Sequence, residues 1–203
     1  MPKHSTRPSD APPRAVPDVA SMRRDQRERR DRIIRAAMRL MVEVDYAKLQ
    51  VRDVAEEADV ALGTLYRYFT SKDHLFACAM LEWSSGFGGR LDRASGAPTV
   101  DRVKDVYRRA ARAFEREPRV YDVLVQLQAS RDADTAGVFA EFSRQQTTAF
   151  GDALADIPSP QREDIVAVMS AVLSEGLRSQ QLGLVSFADV YSRLDRTADL
   201  ILG

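Results

Sequence analysis

Apolar residues recur along most of this chain at separations of three and four, the period of one helix face, and no later stretch alternates as a strand does. From about Arg23 the spacing predicts a helix with Ile33, Ile34, Ala37, Leu40, Met41 and Val44 on one face, broken at Asp45 and Tyr46. Gln50 to Lys72 predicts two short helices meeting at a tight turn, pinned by Val51, Val54, Ala55 and Ala58 in the first and by Leu65 and Phe69 in the second. A long helix opening at Ser71, Lys72 and Asp73 carries the stripe Leu75, Phe76, Ala79, Met80, Trp83, Phe87 and Leu91, and a loop at Ser95 to Pro98 ends it. Further helices follow. One runs over Val103 to Phe114, a short one carries Val120 to Leu127, and another spans about Thr135 to Leu154. Ser159 as N-cap and Pro160 at the first helical position introduce a helix over about Gln161 to Gln181, and a capping-box-like Ser186 and Asp189 introduce the last.

The second short helix has a face that a core does not need. Leu62, Gly63, Thr64, Tyr66, Arg67 and Tyr68 offer small groups, hydroxyls and a guanidinium to something outside the fold, at the spacing of a helix-turn-helix. Two short helices bury too little to fold alone, so the apolar half of the Arg23 helix is expected to pack over them as a third. Near the chain's end, apolar residues lie on more than one side of the last two helices, which points to a surface shared with a second copy. The residues expected there are Ile165, Met169, Val172, Leu173, Gly176, Tyr191, Leu194 and Ala198; the other reading makes them internal core.

Composition narrows the class. With 203 residues, 44% hydrophobic and 30% charged, the chain is expected to be globular. No apolar run approaches the roughly 18 residues of a membrane span, and the start lacks the apolar centre of a signal peptide, so a cytoplasmic protein is expected. One cysteine, Cys78, excludes an internal disulfide and reads as a small buried hydrophobe or, less simply, a redox sensor. Two separated histidines, His4 and His74, give no zinc pattern, and neither a Gly-rich phosphate loop nor a Ser-His-Asp set is present, so no cofactor and no enzymatic activity are expected. The net charge is zero, yet between Met22 and Arg39 eight arginines stand against Asp25, Glu28 and Asp31, a local surplus able to attract phosphates. The Pro-rich residues 1–21 read as a disordered arm that is either inert or reaches a minor groove.

The run VRDVAEEADVALGTLYRYFTSKDHLF resembles the DNA-binding signature of the TetR family of transcriptional regulators. That resemblance implies an all-α fold, with a three-helix helix-turn-helix domain over 22–71 and a helical effector-binding and dimerisation domain over 72–203. It implies a homodimer built on the last two helices, released from a palindromic DNA operator by a small molecule. Gln50, Arg52, Leu62, Gly63, Thr64, Tyr66, Arg67, Tyr68 and Lys72 then occupy DNA-contacting positions. Gln50 and Ala61 replace the usual capping residues, and Asp59 replaces the usual turn glycine. The stretches ALGTLYRYFTSKDHL and RLDRTADLILG look similar to the KstR-like branch, which implies a large apolar effector carrying a coenzyme A thioester.

Trp83, Phe87, Tyr107, Phe114, Tyr121, Leu124, Phe139, Phe142, Phe150, Met169 and Leu173 are together candidates to line an effector cavity, although each taken singly reads first as ordinary core. Gln126, Gln128, Gln145, Gln146 and Ser174 can orient such a ligand or lie on the surface. The alternative to a ligand-released repressor is a DNA-binding activator or architectural protein with a filled core and no effector.

Overall fold

The computed structural model describes residues 19–85 and 96–203; the arm, Phe87 and Leu91 lie outside the described residues. Among the described residues the chain is all helical: α1 (Arg24–Glu43), α2 (Val51–Glu57), α3 (Leu62–Leu65), α4 (Lys72–Ser84), α5 (Thr99–Arg116), α6 (Arg119–Gln128), α7 (Ala133–Asp152), α8 (Gln161–Gln181) and α9 (Phe187–Leu202). A short 3-10 turn, Val19–Ser21, precedes them.

The helix pattern places the core. Ile33, Ile34, Ala37 and Met41 of α1 are buried against α2 and α4. The start of α2 has no side-chain cap at Gln50, whose side chain is longer than the preferred Ser, Thr, Asp or Asn, and α3 has none at Ala61, which carries no acceptor. Between them Asp59 sits at φ 52°, while Val60 N donates to Ala55 O (2.9 Å) and Asp59 N to Glu56 O (3.0 Å). That pair of bonds is a complete Schellman closure with aspartate where glycine is easiest. Replacing Asp59 with glycine is expected to raise the midpoint of thermal unfolding by about 1–3 °C, read by calorimetry; a lowered midpoint would mean that the carboxylate contributes more than its backbone strain costs.

Ser71 caps α4 by accepting from His74 N at 3.0 Å. Most of α4 from His74 to Met80 is buried, because α1 covers one side and α6 and α7 the others. Its stripe is therefore wider than periodicity alone implies. Glu117 before Pro118 separates α5 from α6, as the restricted residue before a proline does. Asp132 caps α7 by accepting from Thr135 N at 2.9 Å. One cap differs: α8 begins at Gln161 with Pro160 rather than Ser159 as its N-cap, and Ser159 instead donates its hydroxyl to Glu163 at 2.7 Å. The proline ring pre-sets the entry and leaves Ser159 free to reach the first turn. The last helix opens as expected, with Ser186 N donating to Asp189 (2.8 Å) and Asp189 N to Ser186 Oγ (3.2 Å).

Helix α9 packs on both α5 and α8. A polar ladder crosses its seam with α5: Lys104 with Asp199 (2.5 Å), Arg108 with Asp195, and the Tyr191 hydroxyl with Glu115. Beneath it Tyr107 is fully buried, stacked on Phe150 at 4.2 Å and donating to Val166 O at 3.2 Å.

Candidate nucleic-acid interface and effector cavity

Helices α1 to α3 close on a small core of Val51, Val54, Ala55, Ala58, Leu65 and Phe69, all buried. What this packing leaves outside is the predicted contact face. Gln50, Arg52, Gly63 and Arg67 are exposed, Thr64 is half-buried, and the apolar Leu62 (42%) and the ring of Tyr66 (47%) stand out. A Cβ on Gly63 would meet nothing within 4 Å, so the chain's own packing does not require glycine there. Its bare backbone leaves room for a second body to approach α3 closely.

Two residues predicted on this face are placed elsewhere. Helix α3 is a single turn ending at Leu65, and the following turns carry Tyr68 inward, where it is 6% exposed with its ring 6.4 Å from that of Phe69. Tyr68 is core, not a free phenol. Lys72 is half-buried, donates to Tyr46 O at 2.6 Å and sits 4.1 Å from the centre of the Tyr46 ring. Burial lowers its pKa, and its ammonium holds the loop between α1 and α2 rather than standing free for a phosphate. One turn of helix also carries little dipole with which to favour an anion.

The arginines of α1 are partly matched by acids of the same chain. Arg24 pairs with Glu28 (2.8 Å), Arg39 with Glu57 (2.8 Å) and Arg23 with Asp25 (3.8 Å). Arg30 lies 5.5 Å from the centre of the Phe69 ring and 3.6 Å from Cys78 Sγ. Cys78 is buried, and burial pushes its thiol pKa up, so it behaves as a small hydrophobe.

Sequence reasoning missed the joint behind this face. Tyr46 OH donates to one oxygen of Asp73 at 2.6 Å, and Ser130 Oγ donates to the other at 2.6 Å. Thr70 Oγ1 donates to Asp134 at 2.7 Å, and its amide donates to His74 Nδ1 at 3.2 Å. The first turn of α4 is thereby tied both to the loop before α2 and to the α6–α7 connection. Burial lowers the His74 pKa, with Asp134 opposing it, while burial and the Asp73 carboxylate push the Tyr46 phenol far above its usual range.

A cavity of about 260 Å³ lies among α5, α6, α7 and α8. Of the predicted lining residues, Phe114, Tyr121, Leu124, Phe139, Phe142, Phe150 and Leu173 are on its wall. Gln128, Gln146 and Ser174 are there too, joined by Ser143, Thr147 and Ser170, which periodicity did not single out. Gln126 and Gln145 are exposed and not part of it. Trp83 packs edge-on against Phe114 with centroids 5.0 Å apart, and Tyr107 and Met169 form the core behind the cavity rather than its surface.

Most of the residues expected at a subunit interface lie in the interior of the chain itself. Ile165, Met169, Leu173, Gly176, Leu194 and Ala198 are buried within one chain, and Val172 and Tyr191 are half-buried against the core. Gly176 has the Val190 side chain 3.1 Å from where its Cβ would be, so its smallness serves the α8–α9 contact. The apolar surface left on these helices includes Ala167, Val168 (47% exposed) and Ala171 on α8, with Ala188 and Leu200 (85%) on α9. Among the described residues no three His, Cys, Asp or Glu side chains come together as a metal site, and no helix is long and apolar enough to cross a membrane.

Residues 33–79 match the family described as bacterial regulatory proteins, tetR family, and residues 96–201 match the tetracyclin repressor-like C-terminal domain. The chain is 34% identical over 203 residues to the HTH-type transcriptional repressor KstR of Mycobacterium tuberculosis, covering 96% of this chain and 92% of that one. It superposes on a TetR transcriptional regulator from Rhodococcus sp. RHA1 with a TM-score of 0.74 at 31% identity, over 88% of this chain and 97% of that one. In fold it also matches the regulator FadR from Bacillus subtilis, solved in complex with stearoyl-CoA (TM-score 0.65, 16% identity, 85% of this chain and 97% of that one).

Proposed function

The chain belongs to the TetR family of transcriptional regulators and is KstR-like; from that premise we propose that it is a homodimeric repressor, released from a palindromic operator by a large apolar effector. The observation that carries the DNA role is the separation of duties at α3: Leu65 and Phe69 are buried, while Leu62, Gly63, Tyr66 and Arg67 face outward with no packing duty. Such a face suits base edges and phosphates, with Leu62 against a thymine methyl and Arg67 and the Tyr66 hydroxyl donating to phosphate oxygens. Two copies on one dimer would enter successive major grooves about 34–36 Å apart.

The effector role is supported by a cavity with aromatic and leucine walls and a polar rim of Gln128, Gln146 and Ser174. A coenzyme A thioester of an acyl chain or steroid fits that chemistry, and it agrees with the stearoyl-CoA held by the Bacillus subtilis relative in fold. Ligand pressing on Tyr121, Leu124 and Gln128 of α6 is passed to α4 through Ser130 and Asp73. DNA affinity then falls by linkage.

Fluorescence anisotropy with DNA flanking the protein's own gene tests the reading. The double variant Tyr66→Ala and Arg67→Ala is expected to bind at least tenfold more weakly, with a melting point close to wild type because neither side chain is in the core. The slope of log affinity against log salt should also shrink by about one per half-site, for the lost guanidinium. Unchanged affinity would remove α3 from the interface.

A further inference from the structure

The basic residues of this chain are nearly all arginines; its lysines are Lys3, Lys48, Lys72 and Lys104. Lys3 lies outside the described residues. Lys48 and Lys104 each donate to a carboxylate, Asp45 at 2.9 Å and Asp199 at 2.5 Å, so each must give up an ion pair to shed its proton. Lys72 is placed differently. Its Nζ donates to a neutral acceptor, Tyr46 O, at 2.6 Å and stands 4.1 Å from the centre of the Tyr46 ring. The neighbouring Asp73 carboxylate has its oxygens engaged elsewhere, one by Tyr46 OH and the other by Ser130 Oγ, each at 2.6 Å. Burial lowers the Lys72 pKa, opposed only by that Asp73 charge, which two hydroxyls already share.

We propose that Lys72 is a modification site, acylated by a short-chain acyl thioester, and that acylation releases its hold on the loop before α2 and weakens DNA binding. The neutral ε-amine attacks the thioester carbonyl carbon: a C–N bond forms, the C–S bond breaks, and the leaving thiolate takes up the proton that the nitrogen sheds. The product is a neutral amide. It keeps one N–H but puts no charge over the Tyr46 ring, and its acyl group must fit where the ammonium met a backbone carbonyl. The contact it breaks is a latch across the DNA-facing unit, because Tyr46 lies just before Gln50 and Arg52 while Lys72 lies just after Tyr66 and Arg67. The arginines cannot take this role, since a guanidinium keeps its proton.

The proposal rests on the DNA-binding reading, and its chemical half is measured without DNA. The full chain is incubated with acetyl-coenzyme A at about pH 8, and acetyl occupancy of each lysine is followed by peptide mass spectrometry. Lys72 is expected to react about threefold or more faster than Lys48 and Lys104, since the rate follows the fraction of free amine. Equal rates, or a faster Lys48 or Lys104, would overturn the proposal. Protein made with Nε-acetyllysine at position 72 is expected to bind the operator about tenfold more weakly than wild type, as for loss of one charged hydrogen bond and its cation–π contact. Lys72→Arg keeps the charge and should bind as wild type does, both before and after acetyl-coenzyme A treatment and desalting. Acetylated protein that holds the operator as tightly as wild type sinks the regulatory role. Should that protein melt early, partly acetylated wild type decides: acetyl-Lys72 should be depleted from the operator-bound fraction, and equal occupancy in bound and free fractions overturns the proposal. No operator binding by the unmodified protein would instead sink the repressor reading, while the order of lysine reactivity is judged on its own.

Discussion

Replacing Val168 with arginine is expected to split the dimer and weaken operator binding by about a hundredfold or more. Val168 stands exposed on α8 with Ala167 and Ala171 beside it, and in the proposed dimer such small side chains would let a second α8 approach closely. An arginine on that surface would be buried without a partner on association, which costs several kcal/mol. In the monomer its guanidinium would rest in water, so folding should be spared. The DNA effect follows from avidity: joining two half-site readers raises affinity by about 10² to 10⁴ over either alone. Light scattering after size exclusion and anisotropy on the operator check both parts. A dimeric Val168→Arg protein would place the interface elsewhere, and a monomer that still held the operator tightly would refute the paired-helix reading.

Removing the carboxylate of Asp73 is expected to destabilise the protein by about 2–4 kcal/mol, lowering its melting point by roughly 5–12 °C. The side chain accepts from Tyr46 and from Ser130, both at 2.6 Å, and it is half-buried, so Asp73→Ala leaves two hydroxyls short of an anionic partner. Asp73→Asn keeps an acceptor for Tyr46 and should cost less than half as much. The same variants report on signal transfer. Because Ser130 lies two residues beyond the cavity-lining Gln128, loss of the joint should reduce the ratio of operator affinities without and with effector, even where DNA binding itself survives. A fully retained ratio in Asp73→Asn and Asp73→Ala would exclude this joint as the route.

Much of the fold is written in the apolar spacing. The bounds of α8 coincide with the predicted 161–181, and the Ser186–Asp189 box marks the start of α9. The errors come from questions that spacing does not pose. Periodicity shows that Ile165, Met169, Leu173 and Leu194 share apolar faces but not whether α5 or another subunit covers them. Tyr66 and Tyr68 are two apart, and on any helix such residues point in different directions, so one had to leave the contact face once the chain turned after Leu65. An aromatic stripe looks the same packed or lining a void, which is why Tyr107 and Met169 could not be told from Phe139 and Phe142. Thr70, Ser130 and Asp134 are lone polar residues outside any apolar stripe, and only the folded chain shows them meeting.

The self-pairing of the α1 arginines bears on how long the protein lingers on DNA that is not its target. Affinity for random duplex grows with each phosphate neutralised and each counterion set free. With Arg23, Arg24 and Arg39 already facing carboxylates and Arg30 turned over Phe69, fewer cations remain to grip an arbitrary backbone. A genome offers about 10⁶ to 10⁹ such decoy positions. A regulator with a weak grip on decoys dissociates from them quickly and spends more of its time free in solution. On the proposed repressor reading, few molecules per cell would then suffice to keep one operator filled, and a modest rise in effector would be enough to empty it.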